Sequence, residues 1–174
     1  ITEQEKQQAA SNFLVEAGRI LAETLNYEES LRNIVRLVVP DIADGCIVRH
    51  FSGNELKLAL AAHHDHKKQE ILYEIGLKTQ APYKLLGPLR NAIESGKPFL
   101  LERAEKEILT LEEEGDPALP PLFQALGLKS WAVLPLILHK HVVGAISFIL
   151  DESGRRFVAS DINFLQNVSM RIAL

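Results

Sequence analysis

The sequence has 174 residues, of which 47% are hydrophobic and 24% charged, with a formal net charge of −4, and this favours a single globular domain with one core. No dense run of Lys and Arg indicates a nucleic-acid partner, and no run of about 18 apolar residues predicts a membrane span. The single cysteine, Cys46, excludes an intrachain disulfide and fits a reducing, cytoplasmic location.

Two helices are predicted at the N-terminus. Apolar residues recur at steps of three and four between residues 2 and 25, and residues 1–10 form a more polar helical extension. Asn26 with Glu29 three residues later matches the capping box of a second helix, which Pro40 ends. Because the chain begins without Met and stops within an apolar helix, we expect it to be a segment of a longer protein.

A β-hairpin and two short helices are predicted next. Residues 45–51 and 55–62 have the composition of strands and flank a Ser-Gly-Asn turn, and the second strand alternates apolar and polar residues. Helical patterns follow over residues 68–77 and 88–94, and residues 99–101 predict a short edge strand. These middle helices are expected to cover one face of the sheet.

The C-terminal part predicts a second hairpin and a final helix. Residues 102–121 are charged and rich in Pro near their end, which is typical of a solvated insertion. Residues 130–138 and 142–150 are almost continuously apolar, as in strands covered on both faces. Ser160 is placed to cap the last helix. The whole chain, 1–174, is therefore predicted to be one α+β domain with an antiparallel sheet of five to six strands, terminal helices packed together on one face and middle helices on the other.

In order and spacing, several of these segments resemble the GAF domain family, whose fold is profilin-like and related to PAS domains. The resemblance covers residues 11–174 and implies a sensory domain of a bacterial signalling protein. The residues that carry it are Leu25 to Leu31 at the helix junction, Val39-Pro40, Ala43 to Cys46, Ser130, Leu134-Pro135-Leu136, Gly144, Phe157 and Asp161.

Four of these residues have a physical reason to be where they are. Pro135 lacks the N–H that a strand donates, so it predicts a bulge or a local edge. Gly144 leaves room for close approach of a neighbouring backbone, and Phe157 is expected to fill the gap between the last hairpin and the final helix, whose start Asp161 fixes. We expect these four residues to determine the fold, and they do not by themselves carry chemistry.

Two groups of residues are candidates for chemistry. The run His63-His64-Asp65-His66 could hold zinc or nickel, but adjacent residues rarely point at one ion, so an exposed loop is favoured. Cys46 could be a nucleophile, a redox sensor or a chromophore anchor, but the sequence offers no convergent base, and a small buried hydrophobe is favoured. No catalytic residue and no metal ligand is therefore predicted.

The sequence lacks the motifs by which GAF-like proteins bind or use their cofactors. Bilin-binding relatives carry a cysteine next to a histidine in the middle helices, cyclic-nucleotide-binding relatives carry an Asn-Lys-x-Phe-Asp-Glu pattern, and methionine sulfoxide reduction uses several cysteines. This sequence has none of these features. The identity of any cofactor or ligand therefore stays open.

The resemblance implies a ligand pocket between the sheet and the middle helices. Such pockets are apolar with a few convergent polar groups. The alternative for each lining residue is that it simply fills a packed core. The candidate lining residues are Cys46, Val48, His50, Tyr73, Tyr83, Leu86, Leu89, Ile93, Trp131 and Ser147.

Two functions follow from the sequence. The first is a non-catalytic sensory domain that binds a small ligand and relays a signal to an output domain of a two-component-type protein, such as a histidine kinase in the same chain. The second is a ligand-free module for dimerisation. In both, a homodimer through the terminal helices is expected.

Overall fold

The computed structural model describes residues 2–80, 87–107, 117–152 and 154–173, and for residues 20–25 it describes the backbone alone. The chain divides into two compact units, residues 1–34 and residues 35–174. The first unit consists of one helix. This helix, α1, runs over Glu3–Val38, so that its last turn belongs to the second unit.

The predicted break between two N-terminal helices is wrong. Asn26 lies inside α1, and its backbone continues the helix without interruption. The sequence contains neither Pro nor Gly between Gly18 and Pro40. An Asn in a helix costs about 0.7 kcal/mol relative to Ala, and the Leu, Glu and Arg residues around it are good helix formers.

The second unit is built on an antiparallel sheet of five strands, in the order β2-β1-β5-β4-β3. This confirms the predicted α+β class, and β3 lies at an edge as expected. The strands are β1 Gly45–Ser52, β2 Glu55–His63, β3 Phe99–Leu101, β4 Ser130–Leu138 and β5 His141–Leu150. The helices are α2 His66–Lys78, α3 Gly87–Ser95, α4 Ala104–Glu107, α5 Leu119–Leu126 and α6 Ile162–Ala173.

Helices cover both faces of this sheet, because side chains alternate along each strand. The face that carries Ile47, Trp131 and Ile149 packs against α2, α3 and α5 in one hydrophobic core. Helix α6 packs against β4 and β5 from the opposite face, where Phe148 is fully buried. The predicted placement of the middle helices on one face is confirmed.

The second hairpin contains the irregularities that the sequence predicts. Pro135 pairs with Ala145 of β5, while β3 reaches only as far as Val133 on the other side of β4, so Pro135 lies at a local edge within the described residues. A register shift follows at Leu136. At Gly144, a Cβ atom would lie 2.1 Å from the carbonyl oxygen of Arg49, so the close approach between β1 and β5 requires glycine.

The segment before α6 is held in place by Ser130 and Asp161. The backbone N–H of Phe157 donates to Ser130 Oγ at 2.9 Å. The phenyl ring of Phe157 packs edge-on against that of Phe148, with 6.4 Å between the ring centroids. Asp161 accepts from the N–H of Val158 at 2.8 Å. The predicted cap at Ser160 is wrong, because a 3-10 turn over Ala159–Asp161 precedes α6 and moves the cap position back to Val158.

Candidate functional site

A small cavity lies between the sheet and two of the covering helices. Strands β1, β5 and β4 form its floor, and α2 and α5 form its cover. In this conformation its volume is about 10 Å³, which is about the minimum for one water molecule. It is lined by Ile47, Arg49, Leu72, Ile75, Phe123, Leu126, Leu128, Trp131, Ser147 and Ile149.

Three polar side chains lie on the floor of this otherwise apolar cavity, one from each central strand. Arg49 of β1 pairs with Ala145 of β5, and Trp131 of β4 pairs with Ile149 of β5. Ser147 lies between these two β5 residues and is therefore a diagonal neighbour of both Arg49 and Trp131. Diagonal neighbours on one face of a sheet are about 7–8 Å apart, within reach of long side chains. The small side chain of Ala145, directly opposite Arg49, leaves space above the strand for the guanidinium group.

Arg49 is the charged residue of the cavity, and only 1% of its surface is exposed. Its Nη2 donates to Thr79 Oγ1 at 2.6 Å. Its Nε and Nη1 have no hydrogen-bond partner among the described residues. Burial lowers the pKa of Arg49 to about 10, so the side chain still carries its charge at neutral pH. A buried charge without a partner is costly, and residues of this kind are usually paired.

The other two polar groups of the floor are equally buried. Trp131 is 4% exposed and Ser147 1%, and neither the indole Nε1 nor Ser147 Oγ has a partner among the residues the structure describes. The ring of Phe123 lies 6.4 Å from that of Trp131 and closes the cavity from α5. The large majority of buried polar side-chain atoms in proteins are hydrogen-bonded, so three unsatisfied side chains around one cavity indicate a place for a bound molecule.

The structure brings together only some of the residues predicted to line a pocket. Trp131 and Ser147 lie on the cavity floor. Cys46, Val48 and His50 lie on the opposite face of the sheet, because Cys46 pairs with Phe148 while Ile47 pairs with Ser147. The prediction that these three residues face the middle helices is therefore wrong. The residues of β1 that do face these helices are offset from them by one position along the strand.

The predicted residues on the middle helices are also dispersed. Tyr73 is 53% exposed on the outer side of α2. Leu89 and Ile93 of α3 belong to the same hydrophobic core as the cavity but do not line it. Tyr83 and Leu86 lie outside the described residues. The assignment of Tyr83 and Leu86 to a ligand site stays a prediction.

Sequence reasoning missed Arg49 and the position of helix α5 over the sheet. A charged residue within the run from Gly45 to Phe51 was a usable signal, because a strand covered on both faces has no solvated side for an arginine. The alternation starting at Ile47 instead of Cys46 would have placed Arg49 on the face that lines the cavity. Helix α5 begins within the charged segment 102–121 and extends beyond it, and the composition of that segment gives no reason to place the helix over the sheet.

A second polar cluster lies at the end of the sheet where β1 begins and β2 and β5 end. The imidazole of His63 and the carboxylate of Asp151 are both fully buried and 2.8 Å apart, and Lys68 Nζ lies 3.1 Å from the same carboxylate. Asp44 accepts from the backbone N–H groups of Asp151 and Glu152 at 2.9 and 3.0 Å. These bonds join the start of α2 to the ends of three strands.

The local geometry assigns the proton of His63. Its Nδ1 accepts from the backbone N–H of Asp65 at 2.8 Å, so Nε2 carries the hydrogen and donates to Asp151. Asp65 in turn caps α2 by accepting from the N–H groups of Lys67 and Lys68. Those backbone hydrogen bonds hold the pKa of Asp65 below its usual range.

The favoured reading of residues 63–66 as an exposed loop is wrong for His63, which is buried because it ends β2 over the core. His66 is exposed as expected. Within the described ranges, no group of three or more His, Cys, Asp or Glu side chains is arranged to hold a metal ion. The hydrogen bonds and ion pairs of this cluster hold the start of α2 against the sheet.

Cys46 is fully buried on the face of the sheet away from the cavity. Burial raises the pKa of the Cys46 thiol to about 12. Because the thiolate is the reactive form of cysteine, this environment leaves the side chain as a small apolar group at neutral pH. The preferred sequence interpretation of Cys46 as a buried hydrophobe is confirmed.

Comparison with solved structures places these features in a known fold. A methyl-accepting chemotaxis protein (residues 122 to 287) matches with a TM-score of 0.62 at 11% identity, over 84% of this chain and 86% of that one. A type II free methionine-R-sulfoxide reductase from Thermoplasma acidophilum matches with a TM-score of 0.59 at 13% identity, over 84% and 89%. NreA from Staphylococcus aureus, mutated in its nitrate binding site, matches with a TM-score of 0.52 at 14% identity, over 81% and 94%.

At these identities the structural matches show the fold alone, and the three proteins differ in function. No curated protein sequence matches this chain significantly. A model of the GAF domain matches residues 26–174, which is most of the sequence and includes the whole sheet. The chain therefore belongs to the GAF domain family.

Proposed function

We propose that this domain is a sensory module that binds a small ligand in the cavity over β1, β5 and β4 and relays its presence to an output domain in the same protein. GAF domains are generally regulatory, ligand-binding domains. The observation that carries the proposal is the group of buried, unsatisfied polar atoms of Arg49, Trp131 and Ser147 around one enclosed space. A packed core without a ligand gives no reason for them.

The arrangement of layers supports a way to pass on the signal. The cavity is now only large enough for one water molecule, so a larger ligand requires α2 or α5 to move away from the sheet. A ligand that binds this opened arrangement better would raise its population. Strands β4 and β5 carry cavity residues on one face and α6 on the other, so a change in strand position reaches the C-terminal helix directly.

The context of the domain is also part of the proposal. We place it in a two-component-type signalling protein, for which a histidine kinase is the output domain we favour, and on the cytoplasmic side, in keeping with its one free thiol. No helix of the described residues is long and apolar enough to cross a membrane. The nitrate binding site of NreA supports a small ligand for a domain of this fold.

Non-catalytic function is favoured over enzymatic function. The one cysteine of the chain is fully buried with its pKa raised to about 12, so a thiol mechanism has neither an accessible nor an ionised nucleophile. The cavity residues themselves offer one cation, one indole and one hydroxyl. These groups can bind and orient a ligand, but they include no general base.

A thermal-unfolding screen tests the proposal. A panel of metabolites, nucleotides, haem and small ions is compared on the wild-type domain and on Ser147→Val, which removes a cavity hydroxyl and fills space. A true ligand at about 100 times its Kd raises Tm by about 5–10 °C, and the variant loses most of this shift. If no member of the panel stabilises the wild type, the domain is a ligand-free module.

That second function, dimerisation, has its own supporting observation. Phe13, Leu14 and Val15 in the first unit are 71%, 69% and 70% exposed, which is unusual for three adjacent large apolar residues on a helix. An isolated helix of this kind gains stability by packing its apolar side chains against a partner helix. A second copy of the same helix is the partner we favour, and it is compatible with the sensory function.

A further inference from the structure

We propose that the ligand of the cavity is a small monovalent anion with oxygen acceptors, such as a short carboxylate or a singly charged oxyanion, bound by Arg49 together with Trp131 and Ser147. This inference rests on the proposed function and names the chemical class of its ligand.

The charge of the site favours an anion. Arg49 makes no ion pair with any described carboxylate, although it is almost completely buried. Among the described residues its side chain makes one hydrogen bond, to Thr79 at the C-terminal end of α2, which places Nη2 near the negative end of the helix dipole. That end contributes about half an elementary charge, which leaves the guanidinium only partly compensated. A bound anion supplies the missing charge.

The unsatisfied polar groups of the cavity are hydrogen-bond donors. The Nε and Nη1 groups of Arg49 and the indole Nε1 of Trp131 can only donate, and Ser147 Oγ can donate as well. A neutral amide or alcohol brings donors of its own, which would find few acceptors here. A carboxylate or oxyanion brings acceptors only and matches all four groups. Arg presents a planar fork that suits such anions in particular.

The single guanidinium and the apolar lining of the cavity limit the charge and size of the ligand. One buried guanidinium balances one negative charge, while a divalent anion would leave a net charge in an apolar cavity, which is strongly unfavourable. The remaining lining is aliphatic and aromatic, and the closed cavity measures only about 10 Å³. Sulfate and hydrogen phosphate dianions are therefore expected to be rejected.

The bond to Thr79 also connects the ligand to α2. Thr79 Oγ1 donates to the carbonyl oxygen of Ile75 at 2.7 Å, which fixes its lone pair toward Arg49. Arg49 itself belongs to the floor of the cavity, and its guanidinium group contacts the cover through Thr79. An anion on Nε and Nη1 would bind a group that already touches both layers, so its binding can change the distance between them.

The single tryptophan of the sequence makes the test specific to the site, because its emission reports only on Trp131. The emission of the domain is titrated with sodium formate and sodium acetate, with the matched neutral amides formamide and acetamide, and with sodium sulfate. Arg49→Met removes the charge at similar volume and leaves Thr79 bonded to Ile75. Lys97→Met, at an exposed position outside the cavity, removes one charge elsewhere as the matched control.

The expected result is a saturable change with formate or acetate and none with the amides or sulfate. Arg49→Met should weaken binding by about tenfold or more, while Lys97→Met should bind as the wild type does. Arg49→Met should unfold at the same or a higher temperature without anion, since it removes an unpaired buried charge. Should it fail to fold, Ser147→Ala, which keeps the charge and loses one donor, should weaken binding by about tenfold.

Three results would overturn the inference. If acetamide binds as well as acetate, the cavity is a ligand site but not an anion site, and the proposed function stands. If acetate binds Arg49→Met and Ser147→Ala as tightly as the wild type, the anion lies elsewhere. If no anion gives a saturable change, the anion class is wrong, and the broader thermal screen decides separately whether any ligand exists.

Discussion

At the scale of single residues, Gly144 shows how a strand position constrains the site. Its Cα faces the backbone of Arg49, and a Cβ atom there would lie 2.1 Å from the Arg49 carbonyl oxygen and 3.0 Å from the Cα of His50. Both neighbours are backbone atoms and cannot rotate away. The glycine therefore keeps β1 and β5 close together, and with them Arg49 and Ser147.

Gly144→Ala is expected to destabilise the domain by about 2–3 kcal/mol, because the added methyl group forces the two strands apart. The measurement is the free energy of unfolding in urea. Gly18→Ala is the control, since that helical position has nothing within 4 Å of an added Cβ and alanine favours the helix. Equal losses of stability in both variants would contradict the close approach.

The residue scale also separates what the sequence can predict from what it cannot. Pro135 and Gly144 are predictable, because each has a backbone property that few positions accept. The choice between Arg49 and His50 as the cavity residue is not, because adjacent strand residues point to opposite faces and a one-residue error in register exchanges them. The pairing of Ile47 with Ser147 settles that register.

At the scale of elements, α2 is one of the two helices that cover the cavity, and hydrogen bonds hold it at both ends. Its N-terminus is capped by Asp65 and joined to the buried pair of His63 and Asp151. Thr79, the residue that caps its C-terminus, accepts the bond from Arg49. A change at either end is therefore expected to alter how tightly α2 closes over the sheet.

The cap at Asp65 gives a prediction with a pH dependence. The lowered pKa of Asp65 means that its contribution to stability is present above the unfolded-state pKa of about 3.9 and is lost as the pH falls through the lower folded-state value. Asp65→Ala should lower the urea midpoint at pH 7, and the difference from the wild type should shrink below about pH 4.

Asp65→Asn is the matched control for that experiment, since asparagine caps helices without a charge. Its stability relative to Asp65→Ala should stay nearly constant over the same pH range. A difference between wild type and Asp65→Ala that does not change with pH would show that the carboxylate charge has no role in the cap.

Helix α1 is the element that the sequence predicts least well. The apolar steps before residue 25 correctly indicate a helix, but its continuation to Val38 depends on the absence of any strong breaker and not on a positive signal. Local patterns identify the strands much better, since their continuous apolar composition and their turns coincide. The role of α5 as part of the cavity cover is a tertiary property and has no local signature.

The exposed apolar residues of α1 predict that the domain is a dimer and that a charged substitution in this helix weakens the dimer. The wild-type domain is expected to be a dimer in light scattering coupled to size-exclusion chromatography, and Phe13→Glu should shift it toward the monomer by placing a charge in the helix interface. Gln7→Glu, an exposed substitution on the same helix, is the control and should remain dimeric. A monomeric wild type would contradict dimerisation through this helix.

At the scale of the whole second unit, the proposed function depends on the sheet and on its covering helices, which the hydrogen bond from Arg49 to Thr79 connects. The sheet supplies Arg49, Trp131 and Ser147, and the opposite face of the same strands carries α6. The family and the fold can be predicted from the sequence because they depend on the hairpins and their glycine, proline and serine positions. The proposed ligand site depends on register and on helix placement, which only the three-dimensional structure supplies.

Hydrogen–deuterium exchange tests whether binding is relayed across the sheet. Saturating acetate should change the exchange of α2 and α5, which cover the cavity, and also that of α6 on the far side of β4 and β5. The same experiment on Arg49→Met should show no change in any of the three helices. Changes confined to α2 and α5 would mean that a ligand binds without reaching the C-terminal helix, which would contradict the sensory relay.

The most direct test of the cavity as an anion site is a crystal structure of the domain grown in sodium formate. The account predicts electron density for one formate ion between the sheet and α2, accepting from Arg49 Nε and Nη1, from Trp131 Nε1 and from Ser147 Oγ. An empty cavity in which oxygen atoms of the chain itself accept the bonds of Arg49 would contradict it.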